Sequence, residues 1–122
     1  MHRVIHFELG ATEPERAAGF YKKVFGWQVQ KWDGPQPYWL VTTGPEGQPG
    51  INGGIMRHMD AQPRTVNTIE VPDVEAFARS VEEAGGKLVV PKMAIPGIGY
   101  QIYCLDTEGN IFGIHQADPS AK

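Results

Sequence analysis

The chain has 122 residues, 41% of them hydrophobic and 20% charged, with 11 basic against 14 acidic residues and a formal charge of −3. That is one ordinary domain, long enough to bury a core without staples, and it excludes disorder or a coiled coil as the whole answer. The scattered charge excludes an electrostatic nucleic-acid binder, the single cysteine (Cys104) excludes an intramolecular disulfide or a cysteine-based zinc cluster, and no apolar run approaches the roughly 18 residues of a membrane span, so a cytoplasmic protein with neither nucleic acid nor membrane as partner is expected.

Residues 4–9 alternate strictly, with Ile5, Phe7 and Leu9 on one face and Val4, His6 and Glu8 on the other. This is the period of a half-buried strand whose second face is polar enough to line a wet cavity. A helix is predicted next. Thr12 and Glu15 fit a capping box, Pro14 is tolerated in the first turn, and Ala17, Phe20, Tyr21, Val24 and Phe25 form an amphipathic stripe that Gly26 can end in a left-handed cap. Strands are predicted over 27–32, 38–43 and 51–57, separated by turn chemistry at Asp33-Gly34-Pro35 and Gly44-Pro45-Glu46-Gly47. Residues 58–64, with Asp60, Gln62 and Pro63, read as a connector. The pattern then restarts with a strand over 66–71, an N-cap at Asp73 and a second helical stripe of Val74, Phe77, Ala78 and Val81, ended by Gly85-Gly86. Strands follow over 87–90, 100–105 and 111–116, with a loop through Pro91, Pro96 and Gly97 between the first two and a turn at 106–110.

Both halves therefore run strand, helix, three strands, and His6, Glu13 and Gly26 stand 60 residues before Val66, Asp73 and Gly86. A βαβββ unit cannot cover both faces of its sheet alone, which is the logic of a repeat that shares a core. The expected fold class is α+β: two tandem βαβββ modules, 3–58 and 65–117, forming a curved mixed sheet or cup with helices outside, a single domain over 1–119 and a loose tail over 118–122.

Four segments carry a family resemblance: Ile5-His6-Phe7-Glu8-Leu9; Pro14-Glu15-Arg16-Ala17-Ala18-Gly19-Phe20-Tyr21 leading into Phe25-Gly26-Trp27; Val71-Pro72-Asp73-Val74-Glu75-Ala76; and Asp106-Thr107-Glu108-Gly109-Asn110-Ile111-Phe112-Gly113. With them the chain resembles the vicinal oxygen chelate superfamily of glyoxalase I-like, bleomycin-resistance-like and extradiol-dioxygenase-like proteins, over roughly residues 3–117. The resemblance implies the glyoxalase/bleomycin resistance fold and a homodimer in which cups are completed across subunits. It also implies a ligand pattern: metal-dependent members use His or Gln on the first strand, Glu on the fourth, His or Gln on the fifth and Glu on the eighth. Carried over position by position, these fall on His6, on the run Asn52-Gly53-Gly54, on Val66 and on Gly113. One imidazole does not hold a divalent ion, so no cofactor is expected. The alternative is a metal held by His6, Glu8 and His115 as a two-His-one-carboxylate set, or with a residue of a partner chain, which would make the chain a lyase, isomerase or dioxygenase acting on vicinal oxygens.

Without metal, His6 and Glu8, two residues apart on one strand face, are the candidate catalytic acid–base residues. Trp32, Tyr38, Trp39, Gly113 and His115 are the candidate ligand-binding residues: aromatic walls with core or interface packing as the alternative for each, a side-chain-free position, and a polar group on the same strand face as Gly113. Gly53, Gly54 and Gly113 either leave room for a ligand or permit a bulge or tight strand crossing. Trp27 reads as core and Cys104 as a small buried hydrophobe. The function expected is binding of a small organic molecule, by sequestration or sensing, with an interaction module as a third reading.

Overall fold

Two passes of strand, helix and three strands are what the chain folds into. The computed structural model describes residues 2–58, 62 and 64–122, so Asp60 and Pro63 of the expected connector lie outside the described residues. In chain order the elements are β1 (Val4–Ala11), α1 (Pro14–Phe25), β2 (Gln28–Lys31), β3 (Trp39–Thr42), β4 (Asn52–Arg57), β5 (Thr65–Glu70), α2 (Val74–Glu83), β6 (Lys87–Ile95), β7 (Gly99–Leu105) and β8 (Ile111–Ala117). Eight strands of mixed direction with two helices make this the expected α+β class. The chain divides into two compact units, His6–Thr65 and Val66–Lys122 together with Met1–Ile5.

In the unit His6–Thr65 the strands lie in the order β2-β3-β4-β1. β1 runs parallel to β4, with His6 opposite Asn52 and Glu8 opposite Gly54. β3 is antiparallel to both β2 and β4. The β1 alternation sends Phe7 and Leu9 into a core of Ala18, Val41 and Ile55, ringed by Ala17, Tyr21, Trp27, Val29 and Trp39. Trp27 stacks on Tyr21 at 4.7 Å between ring centroids, as its core reading requires. Gly26 ends α1 at φ 73°, as expected.

Two expectations for α1 are corrected. Its N-cap is Glu13, without a side-chain cap, while the Thr12 hydroxyl meets His58 Nε2 at 3.2 Å. Pro14, with its fixed φ and no N–H to satisfy, takes the first helical position and moves the cap one residue on. The apolar stripe also divides. Pro14 and Ala18 are buried and Ala17 and Tyr21 pack on the core, but Phe20, Val24 and Phe25 are 56%, 54% and 59% exposed. The helix approaches its sheet on Ala17, Ala18 and Tyr21, while Phe20, Val24 and Phe25 stay outside.

In the other unit the order is β5-β8-β7-β6, with β5 parallel to β8 and the remaining pairs antiparallel. Val71, Val74, Ala78, Ile102, Cys104 and Ile114 form its core. Asp73 caps α2 as predicted, accepting from the backbone N–H of Glu75 and of Ala76. β6 was expected to stop at 90 but continues to Ile95 through Pro91. It is the outermost strand, and its register slips between Leu88 and Val90 and again between Val90 and Met93. An edge position with irregular pairing is where a strand tolerates a residue lacking an N–H. The loose tail is also corrected: Gly97 donates its N–H to the Ala121 carbonyl at 2.8 Å, and Ala121 is buried.

Cys104 is fully buried, and its thiol is pushed up to about 11, by desolvation first and by the Glu82 charge second. The pKa alone lowers the reactive thiolate fraction about a hundredfold relative to an ordinary cysteine. Iodoacetamide at about pH 8 is therefore expected to leave native Cys104 unmodified and to alkylate it in denaturant. Comparable rates in the two states, read by mass spectrometry, would contradict its placement.

Candidate functional site

The site grows from the polar face of β1. Period-2 alternation puts His6 and Glu8 opposite the core face that carries Phe7 and Leu9. Glu8 is only 7% exposed, so its carboxylate needs partners. Across the ladder from Glu8 stands Gly54, and a Cβ built there would collide with the Tyr38 hydroxyl and ring. The missing side chain is what lets the phenol of Tyr38 cross β4 and reach β1. Its hydroxyl donates to Glu8 Oε2 at 2.8 Å and lies 2.7 Å from His6 Nε2. The Tyr38 and His6 rings are nearly parallel, 15° apart with centroids at 6.3 Å. Trp32 holds Tyr38 from the other side: its backbone N–H donates to the Tyr38 carbonyl at 2.7 Å, and its ring meets the phenol edge-on at 6.3 Å and 80°. Burial holds the His6 pKa below the ordinary 6.5, which favours the neutral imidazole.

The candidates from the sequence separate accordingly. His6, Glu8, Tyr38 and Trp32 come together. Trp39 does not: it is adjacent to Tyr38 and so points to the opposite face, where it packs on the core. There it lines a groove of about 300 Å³ with Ala18, Gly19 and Val29, and Lys31 Nζ lies 5.5 Å from its ring centroid. Trp39 therefore does not share a face with Tyr38.

Gly113 and His115 belong to the other unit. Gly113 lies opposite Thr68, and the space above it is taken by the Gln101 amide. Gln101 donates through Nε2 to Thr68 Oγ1 at 3.2 Å, and its Oε1 is 3.0 Å from His115 Nδ1. At Gly113 the glycine admits the protein's own Gln101 side chain. The same holds for Gly54 beneath Tyr38, and for Gly53, where a Cβ would meet the Phe7 carbonyl oxygen and ring. At all three glycines the space a Cβ would take is met by the protein's own atoms, from Gln101, Tyr38 and Phe7.

Thr68 and Gln101 were missed in the sequence, yet the repeat signals one of them: the 60-residue offset carries Glu8 onto Thr68. Register supplies the other. Leu40 faces Gly54 and Tyr103 faces Gly113, and Tyr38 and Gln101 each stand two residues earlier. Both units thus use one construction: a long polar side chain, two residues before the third-strand position that faces the fourth-strand glycine, crosses that glycine to bond the first strand.

The donor set does not fit a divalent ion. At the family's fifth- and eighth-strand positions stand Val66, which is buried, and Gly113, neither of which can coordinate. Among the described residues no group of three or more His, Cys, Asp or Glu side chains that could hold a metal ion is gathered. Among them also no helix is long and apolar enough to cross a membrane.

Duplicated βαβββ units with a polar group on the first strand of one define a class of α+β proteins. Residues 3–114 match the profile of the Glyoxalase/Bleomycin resistance protein/Dioxygenase superfamily, and the chain belongs to that superfamily. No curated protein matches it. Among solved structures, methylmalonyl-CoA epimerase from Mycobacterium tuberculosis is 15% identical with a TM-score of 0.70, covering 95% of this chain and 88% of that one. A hypothetical protein from Bacillus halodurans C-125 is 10% identical with a TM-score of 0.73, covering 99% and 98%. A variant of Streptomyces coelicolor methylmalonyl-CoA epimerase in complex with 2-nitronate-propionyl-CoA is 10% identical with a TM-score of 0.69, covering 98% and 97%. At these identities the likeness is one of fold.

Proposed function

We propose that this chain binds a small, planar or partly aromatic organic molecule at the His6–Tyr38–Glu8 group without a metal ion. The observation that carries the reading is that group itself: an imidazole, a phenol and a buried carboxylate joined by bonds of 2.7 and 2.8 Å, with the Trp32 ring alongside. Ligand sites combine apolar walls with a few placed polar groups, and here the wall and the polar groups come from neighbouring residues. The superfamily's metal positions at Val66 and Gly113 offer no donor, which supports metal independence. A similar structure, a methylmalonyl-CoA epimerase in complex with methylmalonyl-CoA and NH4+, makes acyl-CoA esters a class to try first beside planar aromatic acids. The exposed band of Phe20, Val24 and Phe25 on α1 supports a homodimer.

Thermal unfolding in EDTA, with methylmalonyl-CoA and a panel of planar aromatic acids, tests this. A ligand at a hundredfold excess over its Kd stabilises the native state by about 2.7 kcal/mol. The gain is expected to shrink in His6→Gln and Tyr38→Phe. No stabilisation by any compound, or stabilisation that requires an added divalent ion, would refute the proposal. A second reading, acid–base catalysis without metal, is favoured by the continuous path from Glu8 through Tyr38 to His6. Turnover of a bound compound that is lost in His6→Gln would establish it.

A further inference from the structure

A tyrosine hydroxyl has one proton to give. At Tyr38 that proton goes to Glu8 Oε2, at 2.8 Å. The 2.7 Å contact with His6 Nε2 must then be made with the imidazole as donor and the phenol oxygen as acceptor. A neutral imidazole carries its proton on one nitrogen only, so a proton on Nε2 leaves Nδ1 with a lone pair. Among the described residues His6 has no hydrogen-bond partner besides Tyr38, so nothing there competes for Nδ1.

We infer that Tyr38 is a positioning residue that locks His6 as the Nε2–H tautomer, so that Nδ1 accepts a hydrogen bond from the ligand and the site selects molecules presenting a hydroxyl, enol or N–H group there. This rests on the binding reading above. The logic is that of a carboxylate fixing a histidine's tautomer, with a phenol inserted between the two. Gly54 is part of the device, since a side chain there would displace the phenol. Glu8 completes the device: it accepts the Tyr38 proton and thereby sets the direction of both bonds. In the other unit the equivalent crossing is made by Gln101, whose amide donates to Thr68 and whose oxygen is left to accept from His115 Nδ1. The two crossings orient their imidazoles in opposite senses, Nε2–H at His6 and Nδ1–H at His115.

The test is long-range proton–nitrogen NMR on the full chain with 15N-labelled histidine. The wild-type His6 signals are expected to show a pyrrole-type Nε2 and a pyridine-type Nδ1 at neutral pH. Tyr38→Phe, which keeps the ring and removes the acceptor, is expected to average the two tautomers. A wild-type His6 with its proton on Nδ1 overturns the proposal without any variant, and so does a Tyr38→Phe spectrum with the tautomer unchanged. Phenol and anisole, alike in shape but differing in the donor proton, test the selectivity at millimolar concentration. Phenol is expected to move His6 Nδ1, with anisole about fivefold weaker, the loss of one hydrogen bond. Equal perturbation by the two, or none from phenol, refutes the selectivity. The correct tautomer without stabilisation by any compound of the thermal panel would instead strike the binding reading alone.

Discussion

Gly53→Ala is expected to destabilise the protein by about 3 kcal/mol, the upper end of what overpacking costs. The added methyl would meet the carbonyl oxygen of Phe7, and ring carbons of Phe7 at 2.7 Å. The carbonyl is backbone, and Phe7 and Gly53 are partners in the parallel β1–β4 ladder, so neither can move without breaking that pairing. Gly54→Ala makes the informative contrast. Its methyl would meet the far end of the Tyr38 side chain, which can swing aside. The fold then survives with a smaller loss, while Glu8 and His6 lose the bonds to Tyr38 and the ligand response disappears. Urea unfolding at constant m-value separates the cases. A Gly53→Ala midpoint equal to wild type, or a Gly54→Ala protein that still shows the ligand response, would contradict the packing described.

Ile55→Ala is expected to cost about 3 kcal/mol, within the range for emptying a buried aliphatic position. Ile55 has no exposed surface and packs with Ala18 and Val41 where α1 meets its sheet, so little can collapse into the space it leaves. Phe20→Ala, a larger truncation but on the outer face of α1, is expected to change the stability of the monomeric chain by less than about 0.5 kcal/mol because Phe20 is 56% exposed. The difference between two urea midpoints is the readout. Equal losses would mean that the buried arc of α1 is not the one formed by Ala17, Ala18 and Tyr21.

Much of the fold was legible because it is local. Alternation in residues 4–9 gave β1 and assigned His6 and Glu8 to one face, Asp73 and Gly26 marked helix ends, and the 60-residue offset exposed the repeat. What stayed illegible depends on contacts distant in sequence. That Tyr38 rather than Trp39 reaches Glu8 is a matter of strand parity, decided by the register that sets Leu40 opposite Gly54. That Pro91 lies within a strand depends on β6 being an edge, which no local pattern records. At Gly113, a glycine left open for a ligand and one left open for Gln101 look alike in the sequence until the crossing side chain is seen.

The glycine under each crossing side chain has a wider consequence. Tyr38 and Gln101 differ in size, shape and acidity, yet each is accommodated by the same four-strand plan, over Gly54 and Gly113 respectively. A gap held open by the backbone acts as a socket: what is plugged into it can be exchanged while the ladder around it stays put. A scaffold with such sockets can trade one chemistry for another at little structural cost, which is how unrelated activities come to share an architecture.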